Sequence, residues 1–271
     1  MLGRQVVPRL VERGHAVRAV VRRAEQGPAL ATAGANVVQG DILDRESLTA
    51  AAAGCEAALH LATAIPIGPG GDWSSNDRIR REGTANLLAA AAAQGVRRYI
   101  QQSIVMLYGD TGSHLADESA PLRPGPVIQS AADMEDMVRH STLEWCILRG
   151  AMFYGAGAGL EDRWRQAARS GELLLPGDGS DRISLIHVVD MARAVVAAVE
   201  SAPTGSIYNV VDDEPPAYAD LYAYVAALEG VAPPAAGGAR AWQSFACSNA
   251  KIKRELGWQP AYPTYRSGLA R

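Results

Sequence analysis

Between His15 and Gly150 short apolar runs take turns with helical stretches, and few folds accommodate that alternation. The apolar runs are residues 15–23 (HAVRAVVRR), 35–44 (ANVVQGDILD), 56–63 (EAALHLAT), 97–107 (RRYIQQSIVML) and 143–150 (LEWCILRG). The helical ones are residues 47–53, residues 83–95 (GTANLLAAAAAQG), closed by Gly95, and residues 128–140 (IQSAADMEDMVRH). Strands separated by helices of ~10–13 residues need crossover connections, and such crossovers are right-handed. The expectation is an α/β fold built on a doubly wound parallel sheet. After Gly150 the texture changes to loops such as GAGAG, PGDGSD and PPAAGGA around shorter elements. Residues 1–150 are therefore expected to form the sheet region. Residues 151–271 are expected to form mainly a small lobe over the sheet's carboxyl edge, with parts returning to the sheet.

Composition narrows the partners. The 271 residues are 48% hydrophobic and 20% charged, enough apolar mass for a sizeable core, and the net charge is −3. A balance so close to neutral gives no support to a nucleic-acid or anionic-membrane partner. No apolar run approaches the ~20 residues of a membrane span, and no basic-then-apolar leader precedes a cleavage site. Cys55, Cys146 and Cys247 are odd in number and scattered, which reads as reduced thiols of a cytoplasmic protein. The five histidines are scattered too, so no metal site is expected. The expected partner is a small-molecule substrate, with the protein a monomer or homodimer.

The first ten residues, MLGRQVVPRL, read as a helix facing a sheet, with Gly3 at its start. In a nucleotide-binding βαβ unit a strand and a glycine-rich turn stand in front of such a helix. The expectation is that those parts are encoded in frame upstream of Met1; the other reading is a protein without a dinucleotide phosphate site. An absent central strand would expose a groove and unpaired backbone groups. That costs several kcal/mol against a total margin of only ~5–15 kcal/mol.

Several phrases, in order along the chain, carry a resemblance: LGRQVVPRLVERGHAVRAVVRR, QGDILD, ALHLAT, GTANLLAAAAAQGVRRYIQQS, LYGD, ADESAPLRP, EWCILRGAMFYGAG, IHVVDMARAV, GSIYNVVDDEP and KRELGWQP. Together they resemble the NAD-dependent epimerase/dehydratase family of extended short-chain dehydrogenases/reductases. The resemblance implies a Rossmann-like, NAD(P)-binding region over residues 1–150 and a substrate-binding lobe after it. Leu2-Gly3-Arg4 would close the family's GxxGxxG turn, with Gly3 its last glycine. Arg22 and Arg23 would meet the 2′-phosphate of NADP, where NAD-specific relatives place an acidic residue, so NADP is expected over NAD. Asp41 and Ile42 match the adenine-binding position, and Leu61, Ala62 and Thr63 the segment beneath the cofactor's ribose. Gly150, Ala151 and Met152 match the loop against the nicotinamide amide. Binding by the chain as given is expected to be poor, because the pyrophosphate rests on the amides of the glycine-rich turn.

The family's catalytic residues do not carry over. Its chemistry uses Tyr-x-x-x-Lys on a helix, where the lysine lowers the tyrosine pKa and the phenol moves a proton as hydride moves. With Glu135 and Leu148-Arg149-Gly150 fixing the register, the tyrosine position is Val127 and the lysine position Ala131. The serine position is Ile104 and the helix asparagine is Arg80. Ser103, Tyr108 and Tyr154 are the remaining candidate acids. Ser103 alternates with Ile104 along its strand, so it is expected to face away from the pocket. Tyr108 reads more readily as packing in the YG turn. His60 and His187 read as framework histidines, and Asp190 as the cap of the helix that follows it. Arg182 could meet an acidic group on the substrate or be a solvated loop arginine. Three functions stay open. One is an NADP-dependent oxidoreductase or epimerase with a non-standard acid. Another is a non-redox lyase, cyclase or isomerase, and the third a non-catalytic NADP-sensing protein. The chain is short for a nucleotide-sugar enzyme, so a smaller or less polar substrate is expected.

Overall fold

A computed structural model describes residues 1–66, 71–240 and 243–270. Ten strands run in chain order: β1 Arg18–Val21, β2 Asn36–Gln39, β3 Ala57–His60, β4 Arg98–Ile104, β5 Glu144–Gly150, β6 Met152–Tyr154, β7 Leu175–Pro176, β8 Leu185–His187, β9 Ser206–Val210 and β10 Ala236–Gly238. The β1–β2, β3–β4, β6–β8 and β7–β10 pairs are all parallel. The four-stranded sheet has the order β3-β4-β5-β9, which requires crossovers. This is the α/β, parallel-sheet architecture that the alternating texture demanded.

Two compact units divide the chain: residues 1–104, 125–148 and 192–207 form the first, and residues 105–124, 149–191 and 208–271 the second. One break between the units falls between Leu148 and Arg149. The second unit also takes in the loop of residues 105–124, and the first regains residues 192–207.

The first unit's core grows from amphipathic spacing. Helix Leu2–Glu12 buries Leu2, Val6, Val7 and Leu10, the i, i+4, i+5, i+8 face. Val7 packs with Ala19 of β1 and with Ala35 before β2. Helix Arg45–Ala52 starts at the side chain of Asp44, which accepts from the Glu46 amide. Its Ala52 packs against Ala91 of helix Thr84–Ala93 and Val96. Tyr99, Val138 and Ile147, all fully buried, join β4, helix Gln129–Arg139 and β5.

One feature of the sheet stands apart. Among the described residues β1 pairs only with β2, and β3 only with β4, so the first unit holds two sheets with a free edge on each. Val20, in the middle of β1, is 42% exposed.

Candidate active site

The first unit gathers one end of the residues that the resemblance assigns to a cofactor. Parallel pairing puts Val21 of β1 opposite Gln39 of β2, and the Gly40 amide donates to the Val21 carbonyl at 3.0 Å. Arg22 and Arg23 thus leave β1 beside Gly40-Asp41 as they leave β2. Both arginines are exposed, and Arg23 pairs with Glu25 at 3.1 Å. Asp41 turns the chain: its Oδ1 accepts from the Leu43 amide at 2.9 Å, and its own amide donates to Ser47 Oγ at 3.1 Å. Ile42 sits against Gly83, where a Cβ would come within 2.7 Å of its Cγ1, so only glycine allows that approach. Gly3 lies in the first turn of its helix, and a Cβ there would meet nothing within 4 Å. The helix has no side-chain cap, and the Arg4 amide donates to the Met1 carbonyl at 3.1 Å. Leu61, Ala62 and Thr63 follow β3 as irregular chain. They are pinned by Asn76, whose Oδ1 accepts from the Ala64 amide at 2.9 Å. Arg22, Arg23 and Asp41 thus lie together at the carboxyl ends of β1 and β2.

The same unit holds the positions that the resemblance aligns with the family's catalytic residues. Val127 is 47% exposed in the turn Pro126–Ile128, while Ala131 on helix Gln129–Arg139 is fully buried. Ile104 is buried as well. Arg80 is a buried cation, 5% exposed, whose Nη1 donates to Ser130 Oγ at 3.3 Å. Ser130 Oγ in turn donates to Asp77 Oδ1 at 2.5 Å. Burial brings Arg80 down to about 10, with Asp77 opposing the shift, so the guanidinium stays charged at neutral pH. Arg80 belongs to a π-helical turn, Ile79–Gly83, that continues helix Ser74–Arg78 into helix Thr84–Ala93. Asn76, Arg80 and Thr84 are four residues apart and all buried, and Asn76 Nδ2 and Thr84 Oγ1 have no hydrogen-bond partner. Reading Arg80 only as a lost asparagine overlooks this stripe, although the i, i+4, i+8 spacing of polar residues was visible in the chain.

The Ser103 hydroxyl donates to Glu135 Oε1 at 2.6 Å, so it faces the helix that carries Ala131. Both groups are buried, and Arg139 reaches Glu135 at 3.6 Å. His60, at the end of β3, is 2% exposed with no partner in bonding geometry at either ring nitrogen. Burial brings its pKa down to about 4, only partly offset by the backbone of Ile79 and of His60 itself, so the ring is neutral.

The second unit holds the other candidates. Gly150 ends β5 where a Cβ would lie 2.8 Å from Phe153 Cε1 and 3.2 Å from Met191 Sδ. The Ala151 amide donates to the Val210 carbonyl at 3.3 Å, and that of Met152 to the Ser184 carbonyl at 3.4 Å. Tyr108 is buried; its hydroxyl donates to Asn209 Oδ1 at 2.8 Å and accepts from Arg149 Nη1 at 2.7 Å. Burial pushes this phenol up to about 12, against the pull of Arg149. Tyr154 is fully buried, with its hydroxyl 2.8 Å from Asp212 Oδ2 and 3.2 Å from the Thr264 carbonyl. Burial and then Asp212 push it well above the ordinary tyrosine range. Arg182 is an exposed residue whose Nε and Nη2 both donate to the Pro215 carbonyl, at 3.2 and 2.9 Å. Asp190 is not a helix cap: its two oxygens accept from the amides of Ala261 and Tyr262, each at 2.8 Å.

Comparison with known proteins follows this geometry. A family model described as NAD(P)H-binding matches residues 1–202. The 3-diazoavenalumate denitrifying reductase of a Streptomyces species is 36% identical, over the whole of this chain and 96% of that protein. The 2-alkyl-3-oxoalkanoate reductase of Stenotrophomonas maltophilia is 28% identical over 79% of this chain and 68% of the relative. Among solved structures, the dTDP-glucose 4,6-dehydratase DesIV of Streptomyces venezuelae, with NAD and TYD bound, superposes with a TM-score of 0.86 at 25% identity, over all of this chain and 92% of that one. The UDP-glucose 4-epimerase of Thermus thermophilus in complex with NAD gives a TM-score of 0.84 at 24% identity, over 99% and 93% of the two chains.

Proposed function

The chain belongs to the NAD(P)H-binding proteins of the short-chain dehydrogenase/reductase superfamily, epimerase/dehydratase type, and from that premise we propose that it is an NADP-dependent reductase whose chemistry needs no side-chain acid. The observation that carries this reading is the pair Val127 and Ala131, standing where a phenol and an ammonium would otherwise move a proton. Ser103, Tyr108 and Tyr154 supply no ready substitute, because each hydroxyl is buried and already paired. Carbonyl reduction leaves an alkoxide that must be protonated, and losing the acid there costs roughly 10²–10⁴ in rate. A substrate that arrives with its own leaving group escapes that requirement.

A diazo compound is such a substrate, and the 36%-identical relative is a denitrifying reductase of one. When bound, the reduced nicotinamide supplies a hydride. In the proposed reaction a new C–H bond forms at the carbon of a diazonium group, the C–N bond breaks, and its electron pair leaves with dinitrogen. The substrate is reduced by two electrons and the cofactor oxidised by two, with no proton required from the protein. The chain's own part is to bind and orient: Arg22 and Arg23 at the 2′-phosphate, Asp41 at the adenine, and the apolar surface of Val127 and Ile104 beside the reacting carbon, where it keeps water away. In this reading Arg182 meets an acidic group of a small-molecule substrate, and the protein is a cytoplasmic monomer or homodimer. Incubation of the protein with 3-diazoavenalumate and NADPH deuterated at the transferable position tests the proposal. The expected result is NADPH consumption, dinitrogen release and deuterium at the carbon that carried nitrogen. Dinitrogen release with hydrogen taken from solvent, or none at all, overturns it.

A further inference from the structure

Among the buried carboxyl groups of the second unit, Asp190 and Asp212, at 0% and 3% exposure, are held in different ways. Each oxygen of Asp190 accepts a backbone N–H, as suits an ionised carboxylate. Asp212 is poorer in donors. Its Oδ2 meets Tyr154, the His187 backbone reaches the group, and Oδ1 has no partner.

The groups facing Asp212 come from four elements. β6 brings Tyr154, and β8 brings His187, whose Nδ1 accepts from the Val189 amide at 3.3 Å and which stands edge-on to Tyr154 at 5.2 Å. The helix Val188–Ser201 brings the negative charge of Asp190. The C-terminal segment brings Thr264, and Tyr262 stacked on His187 at 3.8 Å. Next in the chain stands Asp213, a second negative charge, held by Lys253 at 2.5 Å and Asn249 at 2.7 Å.

A phenol has one proton, and the Tyr154 oxygen has two neighbours that accept it, Asp212 Oδ2 and the Thr264 carbonyl. With Asp212 ionised, the phenol serves the carboxylate and the Thr264 contact loses its donor. With Asp212 protonated, the carboxyl donates to Tyr154 and Tyr154 donates to Thr264, an unbroken chain. We infer that Asp212 keeps a proton in the folded protein at neutral pH, and that this proton latches the C-terminal segment through Tyr154 as a pH-sensitive switch. Burial beside Asp190, which raises the Asp212 pKa well above the carboxylate range, agrees with the geometry. The latched element is small: helix Tyr265–Leu269 has five residues, too few to persist unsupported. Gly268 lies so close to the Tyr154 ring that a Cβ would come within 2.4 Å of Cε2. A folded-state pKa above the unfolded one stabilises fully below the ordinary carboxylate range, and the contribution is lost as pH rises through the folded value. The segment therefore opens on the alkaline side.

Hydrogen exchange by mass spectrometry, corrected for intrinsic rates and followed from about pH 6 to about pH 9, tests the latch. Protection of residues 258–270 in the wild type should fall by up to roughly tenfold per pH unit while Asp212 is protonated in the closed segment and ionises on opening, and should level off once Asp212 ionises in the closed segment as well. Asp212→Asn, whose amide donates as the protonated carboxyl does, should stay protected across the range. Tyr154→Phe should lose protection at every pH. A pH-independent wild type, or the same fall in Asp212→Asn, overturns the inference. Should Asp212→Asn not fold, the infrared spectrum of the wild type decides. A protonated-carboxyl stretch at neutral pH that disappears on alkalinisation supports the latch, and its absence refutes it.

Discussion

Val127 and Ala131 look equivalent in the sequence, one apolar residue each in place of a reactive one, and the structure separates them. Val127 is 47% exposed, so Val127→Tyr should change stability by no more than about 0.5 kcal/mol. Ala131 is fully buried, and Ala131→Lys must force a long cation into a packed helix face. Overpacking and charge burial together predict a loss of about 2–4 kcal/mol, read as a shift of the urea midpoint. If the double variant nonetheless folds, it should gain carbonyl reduction over the parent. Ser103 shows the opposite case. Ser103→Ala removes the donor that a buried Glu135 accepts from, and should cost about 1–3 kcal/mol by the same measurement. Burial and pairing of single residues were not legible beforehand. Alternation along β4 said that Ser103 and Ile104 face opposite ways, but not which face carries Glu135.

Helix ends and turns carry their own consequences. Arg13, just past helix Leu2–Glu12, meets Glu200 near the end of helix Val188–Ser201, with Nη2 to Oε2 at 2.6 Å, and His15 joins at 3.3 Å. The hydrogen bond from Arg13 holds the Glu200 carboxyl below its ordinary range, with burial opposing it and His15 adding to it. A depressed folded pKa means that the contribution is present above the unfolded value and lost as pH falls through the folded one. Glu200→Gln should therefore cost up to about 1 kcal/mol at pH 7, little at pH 3, and less in high salt. Thermal denaturation at the two pH values checks it. In the turn after β6, Gly155 has φ of 94°, and a Cβ there would fall 2.2 Å from His187 Nε2. Gly155→Ala meets strain and a clash together and should lose several kcal/mol, seen as a large drop in Tm. The sequence showed GAGAG as a loop, while the need for glycine at one of its positions came from a ring supplied 32 residues later, His187 against Gly155.

At the scale of the whole molecule the free edges of β1 and β3 set the expected behaviour. Amides of β1 and β2 should exchange faster than those of β4, because a two-stranded ladder is marginal alone and Val20 is open to water.

The alternation of apolar runs with helices determined the α/β class, because strand and helix periods are local properties of the chain, and β4, β5 and helix Gln129–Arg139 lie where the periods put them. Motif order likewise determined the family, since identity and spacing need no coordinates. Tertiary structure alone decided that Arg80 is a buried cation on Ser130, that Ser103 belongs to Glu135, and that Asp190 grips the segment of Ala261 and Tyr262. These pairs join residues 32 to 72 positions apart, and nothing local in a sequence records which distant partner a buried polar group finds. That choice is made when the core closes, because a polar atom taken out of water must be satisfied by whatever the fold brings beside it.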